Sequence, residues 1–128
     1  MGNVATKKSS TGYAKLTVGT TELVPKCRVA TGFFTRFLGL MGRASIPGDE
    51  AMCFPKCNSI HTFFMRFPID VVFVSKDGVV VDVVEAMKPW RMLLPRSGAK
   101  HTVELAGGRS RTLGITVGTK IECEGVWA

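Results

Sequence analysis

The chain has 128 residues, of which 45% are hydrophobic and 21% charged, and its formal net charge is +7 at pH 7. A chain of this length fits one domain, which buries about two thirds of the surface that the unfolded chain exposes. The composition is too apolar for intrinsic disorder, and no apolar run approaches the roughly 20 residues of a membrane helix. We therefore expect a soluble, basic, single-domain globular protein without a membrane span.

The N-terminal segment carries Lys7 and Lys8, but the apolar stretch of roughly 7–15 residues that a secretory signal requires does not follow them. We therefore expect a cytoplasmic protein. Residues 1–13 are predicted to form a flexible N-terminal segment, and residues 14–128 a single β domain.

The segment AKLTVGTTELVPKCRVA (14–30) contains two short β-branched runs on either side of Gly19 and Thr20. This pattern predicts a β-hairpin that turns at those two residues. Pro25 lies in the second run, and because proline donates no ladder hydrogen bond, it suggests that this strand lies at the edge of a sheet.

The next segment, TGFFTRFLGLMGR (31–43), has the periodicity of a helix. Its apolar residues recur at helical spacing, and Gly42 is placed to end the helix. We predict one short helix near residues 33–41, with an apolar stripe that packs on the core.

The strongest local pattern is IDVVFVSKDGVVVDVVE (69–85), in which two β-branched runs flank Asp77 and Gly78. This pair is favoured in tight two-residue hairpin turns. The register that follows sets Lys76 opposite Val79, Val74 opposite Val81, Val72 opposite Val83, and Asp70 opposite Glu85. The core face is then formed by Val72, Val74, Val81 and Val83.

Asp70 shares that core face by alternation and lies at its end, where a carboxylate needs a partner. In the preceding segment SIHTFFMRFP (59–68), the candidate partners are His61, Thr62 and Arg66. Polar groups at the rim of an apolar sheet can form a ligand pocket, and they can equally form a structural ion pair between Asp70 and Arg66. The residue types alone leave both readings open.

Cys53, Cys57 and His61 recur at a spacing of four, which could set them on one side of a helix or strand. A zinc site would need a fourth ligand, and only His101 or Cys123 could supply it from a distance. We interpret the cysteines as small apolar packing residues. We expect no metal and no other cofactor.

The positive charge invites comparison with nucleic-acid-binding proteins, whose Lys and Arg residues are clustered. Here the basic residues are spread from Lys7 to Lys120, without a helix-turn-helix or an aromatic ribonucleoprotein pattern. We interpret them as a solvated basic surface rather than a nucleic-acid site.

An ordered set of motifs carries a family resemblance. The motifs are RFLGLMGR (36–43), SIHTFFMRFPIDVVFV (59–74), DGVVVDVV (77–84), KPWR (88–91), VELAGG (103–108) and LGITVG (113–118). The chain resembles the bacterial and archaeal domain of unknown function 192 family over about residues 18–125. The resemblance implies a small, mainly β single domain, a sandwich or barrel with minor helix, whose biochemical function is unassigned.

The motif positions of that family fall on Gly39, Leu40, Met41, Arg43, His61, Thr62, Met65, Pro68, Asp70, Glu104 and Gly107. At the last hairpin the family usually has an aspartate where this chain has Thr119, so the site cannot depend on that position. The predicted ligand-binding residues are Arg43, His61, Thr62, Met65, Asp70 and Glu104, with Trp90 as further apolar wall.

Two functions are compatible with this set. The first is a binding module whose rim pocket holds a polar small molecule, a glycan or a peptide. The alternative is a hydrolase-like enzyme that uses Asp70 and Glu104 as an acid and base pair, or His61 as a base. The absence of a nucleophile elbow, phosphate loop or zincin motif favours the binding module.

Overall fold

The computed structural model describes residues 13–29, 50–57, 60–61, 67–93 and 95–127, with only the backbone at Tyr13, Ile60 and His61. In these ranges the chain forms nine strands and one short helix. The strands are β1 (Tyr13–Val18), β2 (Thr21–Val29), β3 (Glu50–Phe54), β4 (Ile60–His61), β5 (Ile69–Val74), β6 (Val80–Met87), β7 (Met92–Leu93), β8 (His101–Ala106) and β9 (Glu122–Cys123), and the helix is α1 (Arg109–Thr112).

The mainly β, single-domain fold predicted from the sequence, a sandwich or a barrel, is confirmed, and of the two architectures the chain has a half-barrel. The helix predicted near residues 33–41 lies outside the described residues, as do residues 1–12 of the predicted N-terminal segment. The helix α1 was not predicted, because a four-residue turn is too short to show helical periodicity. No helix in the described ranges is long and apolar enough to cross a membrane.

Seven strands form one sheet in the order β6-β5-β8-β3-β2-β1-β9, and β4 pairs with β7 in a separate two-stranded sheet. The pairing of β2 with β3 is parallel, whereas the other pairings are antiparallel. Parallel neighbours need a long connection, and residues 30–49 supply it here.

The sheet curls into a half-barrel. At one end, residues just before β9 pair with residues just before β6, through an isolated bridge between Val79 and Lys120. The amide of Val80 donates to the Thr119 carbonyl at 2.8 Å, and the amide of Ile121 donates to the Gly78 carbonyl at 2.7 Å. These hydrogen bonds connect the two edges of the curled sheet.

The first predicted hairpin is confirmed, with Val18 opposite Thr21 and the turn at Gly19 and Thr20. The prediction that Pro25 marks an edge strand is wrong, because β2 lies between β1 and β3. Pro25 is exposed at an irregularity in the β1–β2 ladder, and pairing with β3 begins only at Lys26. Proline is tolerated at such a position since no ladder hydrogen bond depends on its nitrogen.

The second hairpin forms, but its predicted register is only partly right. The turn closes between Ser75 and Val79, with an amide-to-carbonyl hydrogen bond of 2.8 Å, so the loop has three residues rather than two. Lys76 therefore does not face Val79, and Val74 pairs with Val80 instead of Val81. A register shift in β6 then restores the predicted pairing of Val72 with Val83.

A second register shift falls between Ile69 and Val71, at the place predicted to set Asp70 opposite Glu85. Ile69 pairs with Met87, and Val71 pairs with Val84, so β6 has one residue more than β5 over this stretch. Ala86 has a φ of 50°, as expected for an irregular strand. Two shifts within one strand add local twist and help the sheet curl.

All six residues of β5 are buried, because the sheet is covered on both faces. The inner core, on the concave face, includes Leu16, Val24, Val72, Val74, Val80, Val103, Leu105 and Ile121. The outer core, on the other face, is formed by Met52, Phe54, Ile69, Val71, Phe73 and Met87.

The predicted core face is corrected at one position. Val72 and Val74 belong to the inner core, and Val83 packs against it. Val81 packs against the outer core instead, and Val80 takes its place in the inner core. The cause is the longer turn, since a shift of one residue moves a side chain to the opposite face.

The C-terminal residues close one side of the inner core. Trp127 stacks on His101 with ring centroids 4.5 Å apart, and its indole nitrogen donates to the Ile121 carbonyl at 2.8 Å. His101 Nδ1 accepts a hydrogen bond from the Lys56 amide at 3.0 Å. Burial, followed by the charge of Lys100, lowers the pKa of His101, which keeps Nδ1 available as an acceptor.

Candidate functional site

Asp70 is fully buried near the start of β5, on the inner face as predicted by alternation. Its Oδ1 accepts from the amides of Ala86 at 2.8 Å and Gly108 at 3.0 Å. Its Oδ2 accepts from the Ser110 amide at 2.8 Å and the Ser110 hydroxyl at 2.6 Å. One carboxylate thus connects β5, the irregular part of β6, and the turn from β8 into α1.

These hydrogen bonds account for the ionisation of Asp70. Burial alone would raise the pKa of its carboxyl, but the donors of Ser110, Ala86 and Gly108 outweigh burial and lower the pKa below the ordinary 3.8. Asp70 is therefore a carboxylate at neutral pH with four donors. The three predicted partners differ from these donors: Thr62, Arg66 and the side chain of His61 lie outside the described residues.

Glu104 lies in the middle of β8, opposite Val71 of β5 and Met52 of β3. Directly paired residues project to the same face, so the Glu104 side chain belongs to the outer core with Val71 and Met52. Only 2% of the residue is exposed. Within the described ranges, its carboxyl has no hydrogen bond or ion pair.

Burial without a partner changes the protonation of Glu104. It raises the pKa of this carboxyl from 4.5 to about 8. At neutral pH the group is therefore mainly a neutral carboxylic acid, able to donate one hydrogen bond and accept others.

The structure does not bring Asp70 and Glu104 together. Side chains alternate along β8, and Asp70 pairs with Leu105 of the inner core, one residue beyond Glu104. The two carboxyls consequently lie on opposite faces of the sheet. The paired acid and base considered from the sequence lacks support from this geometry.

The backbone of His61 is connected to the outer core through the strand β7. His61 pairs with Met92, and Ile60 pairs with Leu93, which packs against the outer core. Leu93 of β7 therefore lies against the outer core, and β4 is the pairing partner of β7. Arg43, Thr62 and Met65 lie outside the described residues, so their part in the site stays a prediction.

Trp90, predicted as apolar wall, is 56% exposed at a bend after β6 and has a φ of 64°. Pro68 and Gly107, carried over from the family motifs, lie against each other. A Cβ atom at Gly107 would lie 3.4 Å from the Pro68 carbonyl oxygen, which is an ordinary van der Waals contact. These two motif residues support the turn beside Asp70.

The cysteine set considered from the sequence is divided between the two faces. Cys53 belongs to the inner core, whereas Cys57 packs against the outer core. The spacing of four does not place them together, because the chain turns at Pro55 and Lys56. Cys53 instead lies beside Cys27 and Cys123.

Sequence reasoning missed Ser110 and this cysteine group. The sequence GGRS (107–110) does contain a signal for Ser110, since a Gly-Gly turn followed by serine is suited to hydrogen bonding at a helix start. The cysteines carry no local signal, because they come from strands that are distant in sequence.

Comparison with known proteins places the chain in a family. Residues 14–123 match the family model DUF192, described as Uncharacterized ACR. The chain belongs to the DUF192 family. It is 35% identical over 108 residues to a UPF0127 protein of Pyrococcus furiosus, a match covering 79% of this chain and 89% of that protein. A UPF0127 protein of Thermococcus sibiricus is 36% identical over 103 residues, covering 77% of this chain and 66% of that protein.

Two solved structures are similar to this DUF192 chain. A protein of unknown function from Novosphingobium aromaticivorans has a TM-score of 0.73 and 26% identity, covering 86% of this chain and 83% of that one. A protein from Sinorhizobium meliloti, described as a putative transcription regulator, has a TM-score of 0.74 at 22% identity and covers 86% of this chain and 91% of that one. The second similarity concerns the fold alone.

Proposed function

We propose that this DUF192 domain is a binding module for a polar small molecule, a glycan or a peptide, and that Glu104 is the polar group at the centre of its site. The observation that carries the proposal is a carboxyl of 2% exposure that has no hydrogen-bond partner in the described part of the chain. A buried polar group without a partner is costly, and a ligand would provide the missing hydrogen bonds.

The surroundings of Glu104 have the composition of a ligand pocket. Pockets are lined mainly by apolar and aromatic side chains with a few polar groups that orient the ligand. Glu104 is flanked by Met52 and Val71, and the outer core adds Phe54 and Phe73. A neutral carboxylic acid in this setting suits an uncharged partner that both donates and accepts, such as a peptide amide or a sugar hydroxyl.

The other predicted site residues are included in the proposal because of the segments to which they belong. Since β4 pairs with β7, whose Leu93 packs against the outer core, we propose that the segment beginning at β4 contributes His61, Thr62 and Met65 to the binding site, with Arg43 as a further polar contact. Asp70 enters as the residue that holds the adjoining turn, because its two oxygens already accept four hydrogen bonds.

A second candidate function rests on the pKa of about 8 at Glu104, which suits a general acid at neutral pH. An acid catalyst needs a second group on the same face. Asp70 is on the opposite face, so this enzyme would depend on His61 as its base. The binding module requires no such partner and is preferred.

The test is backbone-amide NMR of the protein titrated with N-acetylated monosaccharides, dipeptides and simple amides. We expect the perturbed resonances to cluster at Met52, Val71 and the neighbours of Glu104. Glu104→Met has a similar shape without the polar oxygens, so it should abolish binding while the protein stays folded. The matched control is Glu85→Gln, at an exposed carboxylate paired with Arg111. Binding that survives Glu104→Met, or that maps to the inner face, would contradict the proposal.

A further inference from the structure

Three thiols from three separate strands meet in the inner core. Cys27 lies in β2, Cys53 in β3 and Cys123 in β9, and all three residues have 0% exposure. Their sulfur atoms all lie within 4.8 Å of one another, and the Cys53 and Cys123 sulfurs are 3.8 Å apart. The fourth cysteine, Cys57, packs on the opposite face and is not part of this group.

The curl of the sheet brings these thiols together. The strands β3 and β9 are three places apart in the sheet order, which would separate them by about 14 Å in a flat sheet, at about 4.8 Å per strand. The contact between Cys53 and Cys123 therefore exists only because the sheet is curled. The three sulfurs point into one volume surrounded by aliphatic residues of the inner core.

We propose that Cys27, Cys53 and Cys123 form a buried three-sulfur site for a soft, thiophilic metal ion, with Cu(I) as the ion it suits. Sulfur ligands select soft ions over hard ones such as Mg²⁺ or Ca²⁺. A metal in a trigonal plane, at a metal–sulfur distance of about 2.3 Å, holds its sulfurs about 4.0 Å apart. That separation falls within the spacing of this group.

The number of ligands distinguishes Cu(I) from zinc. Structural zinc sites are almost always four-coordinate. In the described ranges, no fourth cysteine, histidine, aspartate or glutamate joins the three sulfurs. Three sulfur donors in an apolar volume therefore fit an ion that accepts low coordination. The proposed site is distinct from the Cys53, Cys57 and His61 set considered from the sequence.

Binding of the ion exchanges protons for metal–sulfur bonds. The thiolate rather than the thiol is the ligand of a metal, so for each Cu–S bond that forms one S–H bond breaks and one proton leaves to solvent.

The strand β9 provides a route to the site. It has two residues, pairs with β1 at Leu16 and Thr17, bridges from Cys123 to Trp127, and lies at the edge of the sheet. Short edge elements open locally at low cost in free energy. Opening of β9 would move Cys123 away from Cys27 and Cys53 and admit an ion from solvent.

The test is an anaerobic titration of the reduced full chain with Cu(I), in competition with the chromophoric chelator bicinchoninate. We expect one Cu(I) per chain, release of protons as the ligating thiols become thiolates, and three sulfur neighbours in the copper X-ray absorption spectrum. Loss of an outer-shell partner already weakens metal binding by about 10- to 100-fold. Removal of a ligand in Cys27→Ala or Cys123→Ala should therefore weaken it by at least about 100-fold.

The matched control is Cys57→Ala, which leaves the three-sulfur group intact and should bind Cu(I) like the original chain. Circular dichroism checks that each alanine variant is folded, and either of the two ligand variants is sufficient for the comparison. The proposal is overturned if the folded chain binds no Cu(I), if folded Cys27→Ala or Cys123→Ala retains full affinity, or if Zn²⁺ binds in preference with a fourth ligand. Equal losses in Cys57→Ala would also overturn it.

Discussion

Replacement of Asp70 by alanine should destabilise the domain through the donors that lose their acceptor. The amide and hydroxyl of Ser110 are buried, and a buried donor without a partner costs about 1–3 kcal/mol. Ala86 and Gly108 are exposed, so their amides can hydrogen-bond to water instead. We therefore expect Asp70→Ala to lower the free energy of unfolding by about 2–6 kcal/mol. Asp70→Asn should cost less because one acceptor oxygen remains.

The assay is urea unfolding followed by circular dichroism, with Asp77→Asn as control because Asp77 is exposed in the hairpin turn. Since the folded pKa of Asp70 is lowered, its ionic contribution is present above the ordinary value of 3.8 and is lost as the pH falls through the folded pKa. The difference between the original chain and Asp70→Ala should therefore shrink below about pH 4. Equal, negligible losses at Asp70 and Asp77 would refute the reasoning.

Two further predictions concern Glu104 and Gly78. Glu104 has a raised pKa in the folded state, so the original chain should lose stability as the pH rises from about 4.5 towards 8, by roughly 5 kcal/mol at most. Glu104→Gln should not show this loss in urea unfolding. If the difference in stability between the two proteins did not change with pH, that result would count against burial of this carboxyl. Gly78 has a φ of 90°, and an added Cβ would lie 2.6 Å from the Ile121 carbonyl oxygen. Gly78→Ala should therefore lower the midpoint of thermal unfolding much more than the control Gly98→Ala, because the atom nearest to a Cβ at Gly98 is 4.0 Å away. Equal shifts of the two midpoints would exclude the clash at Gly78.

Local features of the fold were readable from the sequence. The turn at Gly19 and Thr20 and the second hairpin follow from turn residues between β-branched runs. The error in the second hairpin arose because Asp77 and Gly78 also fit a three-residue turn. Ser75 stabilises that longer turn, since its hydroxyl accepts from the amides of Asp77 and Val79.

Long-range features could not be read in the same way. The buried position of Asp70 follows from alternation, but its donors are mainly backbone amides, which every residue type carries. Likewise, the separation of Asp70 from Glu104 depends on the pairing of β5 with β8. These strands come together at Val74 and His101, which are far apart in the sequence because β6 and β7 lie between them. Sequence spacing alone does not determine which strands become neighbours.

The connection between the two edges of the sheet also bears on self-association. An exposed edge strand is a template on which another chain can add a strand. Gly78 and Val80, at the beginning of the β6 edge, already use their backbone groups to bind the segment before β9. Further along β6, Asp82 and Glu85 carry charges that attract Arg96 and Arg111. Because β6 is bonded to another segment at one end and carries charges further along, it is a poor surface for strand addition, which protects the chain against edge-to-edge aggregation.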